Sequence, residues 1–130
     1  MTTGTRLGSG GPYEARYGYS RVVRVGPMAM TAGTTAVVDG HVQHPGDPAG
    51  QARTAFRTAL ASLAQAGIEP AQVVSTRMYI TDADHADPVG SVHGEVFGEI
   101  RPVATMVVVA GLVDPAMLVE IELVAWTEAP

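Results

Sequence analysis

The sequence predicts an α+β fold: a mostly antiparallel sheet with two helices on one face. Three observations lead there. Residues 52–63 carry apolar side chains at the 3.6-residue period of a helix, and a second, weaker helical stretch follows near residue 88. Short β-rich segments precede, separate and follow these two. The last segment, Met117 to Trp126, alternates: Met117, Val119, Ile121, Leu123 and Ala125 point one way, and Leu118, Glu120, Glu122, Val124 and Trp126 the other.

The elements follow in chain order. Arg21–Val25 alternates weakly and is closed by Gly26-Pro27, as a strand and turn would be. Met28 to Thr34 reads as a second strand interrupted at Gly33. Val37–Val42 holds Asp39-Gly40, a dipeptide suited to a tight hairpin. Asp47-Pro48 opens the first helix, since Asp caps well and Pro is tolerated at the first position. Ala52, Ala55, Phe56, Ala59, Leu60 and Leu63 form its apolar face, and Gly67 ends it. Val73–Ile80 is rich in strand formers. Asp87-Pro88 announces the second helix, with Val89, Val92 and Val96 inward; Gly90 and Gly94 each weaken it by roughly 1 kcal/mol relative to Ala. Ala104–Ala110 and Met117–Trp126 complete the sheet. The 104–110 strand is apolar on both faces, so cover on both sides is expected. Two helices protect only one face, so the other is expected to pack against copies of the same chain. Residues 1–12 read as a flexible N-terminal arm and 13–130 as a single domain.

Composition excludes several functions. The chain has 130 residues, 46% of them apolar and 16% charged, which suits one globular domain. It has no cysteine, so thiol nucleophiles and zinc–thiolate sites are absent, and no apolar run approaches a membrane span of ~20 residues. A cytoplasmic location and no membrane partner are expected. Net charge is −5, and the eight cationic side chains, all Arg, are scattered, which argues against nucleic acid as a partner. No phosphate loop or dinucleotide motif is present, and His41 and His44 lack a third ligand at metal spacing. Neither a cofactor nor a metal is expected.

The chemistry-bearing candidates each have a plainer alternative. Glu120 and Glu122 share a strand face; both suit interface ion pairs, and Glu120 equally suits acid–base work in a drier cleft. His93 fits helix packing, or a hydrogen-bond donor at a cleft. Tyr19 suits a pocket hydroxyl, whereas Tyr17 and Tyr79 suit packing. Thr34 suits a cleft rim, and Arg77 an ion pair.

Tyr19-Ser20, Thr31-Ala-Gly-Thr34, Gly46-Asp-Pro-Ala-Gly-Gln-Ala-Arg53, Val73–Asp82 and Leu118-Val-Glu-Ile-Glu-Leu-Val-Ala125 resemble the RidA/YjgF family from about Tyr17 onward. Its members are known as reactive intermediate deaminases and, under an older name, as a translation-inhibiting ribonuclease. The resemblance implies a chorismate-mutase-like fold and a homotrimer with clefts between subunits. It also implies hydrolysis of 2-imino or 2-enamino acids, such as iminopropanoate, to 2-oxo acids and ammonia. Glu120 matches the water-positioning carboxylate, Gly33 the backbone donor and Tyr19 the pocket tyrosine. Ala104 stands where the family's carboxylate-clamping Arg is expected, Gly90 where Asn is frequent, Thr105 at the small polar position, and Met106 where Cys is common. A bidentate Arg–carboxylate contact contributes about 2–4 kcal/mol, or about 30- to 1000-fold. Its loss argues against 2-imino acids as the natural substrate. Arg101 lies three residues upstream, ~10 Å along a strand and on the opposite face.

Two functions compete. One is an enzyme acting on imine- or enamine-type reactive metabolites through Glu120. The other is a non-catalytic ligand-binding or regulatory trimer. A protein-interaction module and a ribonuclease are weaker readings, the latter for want of basic surface and a histidine pair.

Overall fold

The computed structural model describes residues 3–128. A six-stranded sheet is built from β1 (Thr5–Leu7), β2 (Val22–Val25), β3 (Met28–Thr31), β6 (Val73–Ile80), β7 (Val103–Val108) and β8 (Val119–Trp126). Their order across the sheet is β1-β2-β3-β8-β6-β7. All neighbours are antiparallel except β6 and β7, which run parallel. A separate hairpin joins β4 (Val37–Val38) to β5 (His41–Val42), and Asp39 and Gly40 at its turn both have positive φ. That left-handed pair matches the twist of a two-residue hairpin.

The main helix, α2 (Pro48–Gln65), is capped by Asp47, whose side chain accepts from the Gly50 N–H at 3.0 Å. Gly67, at φ 79°, ends it, and Ile68 N–H reaches back to the Leu63 carbonyl. The other long helix, α3 (Ala86–Phe97), begins ahead of the expected Asp87-Pro88, following a turn whose start is capped by Asp82. Phe56 and Leu63 of α2, and Val89, Val92 and Phe97 of α3, are fully buried with Val119, Ile121, Leu123 and Ala125 of β8. The alternation of β8 thus sends its apolar set beneath the helices. Buried Gln51 ties α2 to the approach of β8: its amide N–H donates to the Ala116 carbonyl at 2.9 Å, and its carbonyl accepts from Leu118 N–H at 2.8 Å.

One expectation needs correction, and another bears on assembly. The segment 1–12 is not wholly a free arm: Thr5–Leu7 pairs with β2 at the sheet edge, Leu7 packs against the core, and a short helix, α1 (Pro12–Tyr17), follows. Three residues are too few to display an alternating pattern in sequence. Strand β7 is not covered on both faces within the chain. It is an edge strand, with Val103 71% exposed and only Met106 partly buried, near Gly90 of α3.

The face away from the helices carries Met30, Val124, Trp126 and Val107 around a polar band of Arg77, Tyr79, Glu120 and Glu122. A shallow cavity of about 260 Å³ opens there, lined by Met30, Ser75, Arg77, Glu122 and Val124 among others. Among the described residues, no helix is long and apolar enough to cross a membrane.

Candidate functional site

The last strand presents Glu120 to the open face because it lies between two inward residues, Val119 and Ile121. Beyond β3 the chain turns at Gly33 and returns to β8, where Thr34 and Ile121 exchange backbone hydrogen bonds at 2.8 and 2.9 Å. This bridge lays Gly33 against the Glu120 side chain. A Cβ on Gly33 would sit 2.6 Å from Glu120 Oε2, so any larger residue would push the carboxylate out of its present place. Neither the Glu120 carboxylate nor the Gly33 N–H has a hydrogen-bond partner among the described residues. Loss of solvent pushes the Glu120 carboxyl above its ordinary range; Arg21 opposes this and Glu122 adds to it.

Arg21 is the residue that sequence reasoning missed. Its Nη1 donates to the Gly33 carbonyl at 2.9 Å and to Thr34 Oγ1 at 3.3 Å, and its guanidinium carbon lies 5.5 Å from the centre of the Tyr19 ring. Tyr19 therefore reaches the Glu120 group through Arg21. Thr34 is buried and its hydroxyl donates to the Ala32 carbonyl, so it braces the turn from within. Nothing in a scattered set of arginines marks Arg21; its position twelve residues before Gly33 gains meaning only when β2 and β3 pair. Glu122, meanwhile, accepts from the Tyr79 hydroxyl, which holds the phenol's proton more tightly than usual.

The remaining candidates lie elsewhere in the protomer. Ala104 pairs with buried Thr76 and so faces the helix side of β7, while Thr105 pairs with Arg77 and faces the open side with Glu120. Gly90 lies beside Met106 on the helix side, where an added Cβ would meet Met106 Cε at 3.9 Å. His93 points inward, its Nε2 2.8 Å from Thr76 Oγ1 and its ring against Phe56 and Phe97. Arg101 precedes β7 with a φ of 59° and its Nε donates to the Gly98 carbonyl. One chain thus collects Glu120, Gly33, Thr34, Tyr19 and Arg21 in one group, and Ala104, Met106, Gly90 and His93 on the opposite face. No cluster of three or more His, Cys, Asp or Glu side chains suited to a metal occurs among the described residues.

Burial lowers the proton affinity of the His93 imidazole. Its unfolded form then takes up protons first as pH falls, so its contribution to stability is full above about pH 6.5 and is lost as pH falls through the lower folded value. His93→Leu is expected to shrink the fall in melting temperature between about pH 7.5 and pH 5.5, measured by thermal melts against wild type.

Residues 12–127 match the family model described as endoribonuclease L-PSP. The chain belongs to the RidA/YjgF family. It is 37% identical over 124 residues to the Streptomyces coelicolor protein SCO2049, covering 95% of this chain and 92% of that one. The crystal structure of Rv2704 from Mycobacterium tuberculosis, a member of the YjgF/YER057c/UK114 family, is similar at 46% identity and a TM-score of 0.86, over 95% of this chain and 98% of that one. The Escherichia coli protein TdcF, crystallised with bound serine, is similar at 25% identity and a TM-score of 0.79, over 98% of this chain and all of that one. RidA/YjgF membership supports a role in handling small molecules.

Proposed function

We propose that this RidA/YjgF protein works as a homotrimer of chorismate-mutase-like subunits and hydrolyses imine- or enamine-type metabolites in clefts between them. The observation that carries the reading is Glu120: a half-buried carboxylate of raised proton affinity beside the Gly33 N–H, neither with a hydrogen-bond partner among the described residues. The division of candidate residues between opposite faces supports a shared cleft, in which one protomer supplies Glu120 and Gly33 and a neighbour supplies the β7 edge with Ala104 and Met106. The apolar open face, with Trp126 51% exposed, supports closure by other copies. The serine held by TdcF supports a ligand of amino-acid size.

The chemistry balances on Glu120 alone. Its carboxylate takes a proton from water as the water oxygen bonds to the C=N carbon, and the π electrons move to nitrogen. Glu120 then gives that proton to nitrogen, forming a carbinolamine. In the second half it takes the hydroxyl proton and delivers it to nitrogen; the C–N bond breaks, the C=O bond forms and ammonia leaves. Gly33 N–H donates to the substrate. Ala104 supplies no charge, so the preferred substrate has no carboxylate at that end, or a larger apolar group.

A second reading, ligand binding without turnover, is favoured by that same Ala104. Ammonia release from freshly generated imines, with and without a carboxylate, separates the two. Release above buffer, greater for the imine lacking the carboxylate, is expected. No release from either, together with a rise in melting temperature on adding an unchanged small ligand, establishes the second reading instead.

A further inference from the structure

The N-terminal region reaches the Glu120 group through a line of polar contacts. Ser9 donates to Glu14 from its backbone N–H at 2.9 Å and also from its hydroxyl. These contacts hold the Glu14 carboxyl below its ordinary range. Glu14 Oε2 lies 3.8 Å from Arg21 Nε, a buried nitrogen with no hydrogen bond of its own among the described residues. The other end of Arg21 pins the Gly33 carbonyl and the Thr34 hydroxyl, directly under the Glu120 carboxylate. Arg21 therefore stands between two acids, one anchored and ionised, the other unpaired.

We propose that Arg21 and Glu14 are positioning residues for Glu120: Arg21 fixes the Gly33–Thr34 turn beneath the carboxylate, and Glu14 takes up part of Arg21's charge and so sets how strongly the guanidinium acts on Glu120. With Glu14 absent, the guanidinium would act on Glu120 undivided and keep it ionised. With Arg21 absent, Glu120 would lose the cation that favours its ionised form and keep the repulsion of Glu122. The other groups around Glu120 act in fixed directions. Glu122 on the same strand repels its charge, Tyr79 on β6 is engaged with Glu122, and Arg77 lies one register further along beside Glu122. Arg21 is what links Glu14 to the turn under Glu120, so the two substitutions have opposite signs.

The inference deepens the reading of Glu120 as the acid–base group, and its test does not depend on turnover. Protein labelled with ¹³C at glutamate side chains is titrated by NMR, and the Glu120 signal is assigned by its loss in Glu120→Gln. Arg21→Gln is expected to raise the Glu120 midpoint and Glu14→Gln to lower it, each by on the order of one pH unit. Arg21→Lys, which keeps the charge, is expected to fall close to wild type. Thr34→Val, which loosens the turn without changing charge, is expected to leave the midpoint in place. Shifts of the same sign, or none in folded variants, overturn the proposal. Opposite shifts without ammonia release remove the hydrolase reading and leave the inference standing. Release that depends on Glu120, with midpoints that do not move, removes the inference and leaves the hydrolase.

Discussion

Glu120→Gln is expected to lower imine hydrolysis by about 10²- to 10⁴-fold, the usual worth of a positioned acid–base group. The amide is nearly isosteric, so it keeps the contact with Gly33 but can neither accept nor return a proton at neutral pH. Because Glu120 has no hydrogen-bond partner to lose among the described residues, the fold is expected to tolerate the change. Removing a partly desolvated charge is expected to stabilise the protein slightly at neutral pH. The sign follows from the raised carboxyl: its contribution to stability is full below about pH 4.5 and is lost as pH rises through the folded value. Ammonia-release kinetics and a melt at neutral pH read both effects. Equal rates in the variant and wild type would remove Glu120 from the mechanism.

Ala104→Arg is expected to raise hydrolysis of 2-imino acids by about 30- to 1000-fold, from a bidentate contact of about 2–4 kcal/mol. Ala104 is exposed on an edge strand, so the longer side chain has room without disturbing the core. Activity toward an imine lacking the carboxylate is expected to stay level or fall, since the new charge offers it nothing and narrows the cleft. The ratio of kcat/KM values for the two imines is the measurement. An unchanged ratio would mean that position 104 does not face the bound substrate.

Much of the fold was legible because it rests on period. The alternation from Met117 to Trp126 correctly placed Val119, Ile121, Leu123 and Ala125 under the helices. Asp47-Pro48 and Gly67 marked the ends of α2 because caps and breakers act locally. Val73–Ile80 was read to the residue, being long and β-branched. The three-residue edge strand was invisible, as was the place of β7 at the sheet edge, which depends on strand order. The site was legible only in part. Gly33 and Glu120 were each marked by resemblance, and the absence of a Cβ on Gly33 is what lets the Glu120 carboxylate lie against it. Arg21 was not, since its partners lie in the turn beyond β3 and come near only when β2 and β3 pair. Ala104 and Glu120 fall on opposite faces through the register of β6 with β7 and β8, which neither strand encodes by itself.

The order of the strands also governs how the chain comes together. Strand β8 lies between β3 and β6 in the middle of the sheet, yet follows both in sequence, and Leu123 N–H reaches Thr31 Oγ1 across 92 residues. During synthesis β1, β2 and β3 emerge as a meander without its inner neighbour, while β6, α3 and β7 emerge as a second unit. The sheet cannot close across its middle until residues 119–126 have left the ribosome. Such long-range closure makes for slow folding and leaves two greasy half-sheets waiting, which is where a chaperone would be needed most.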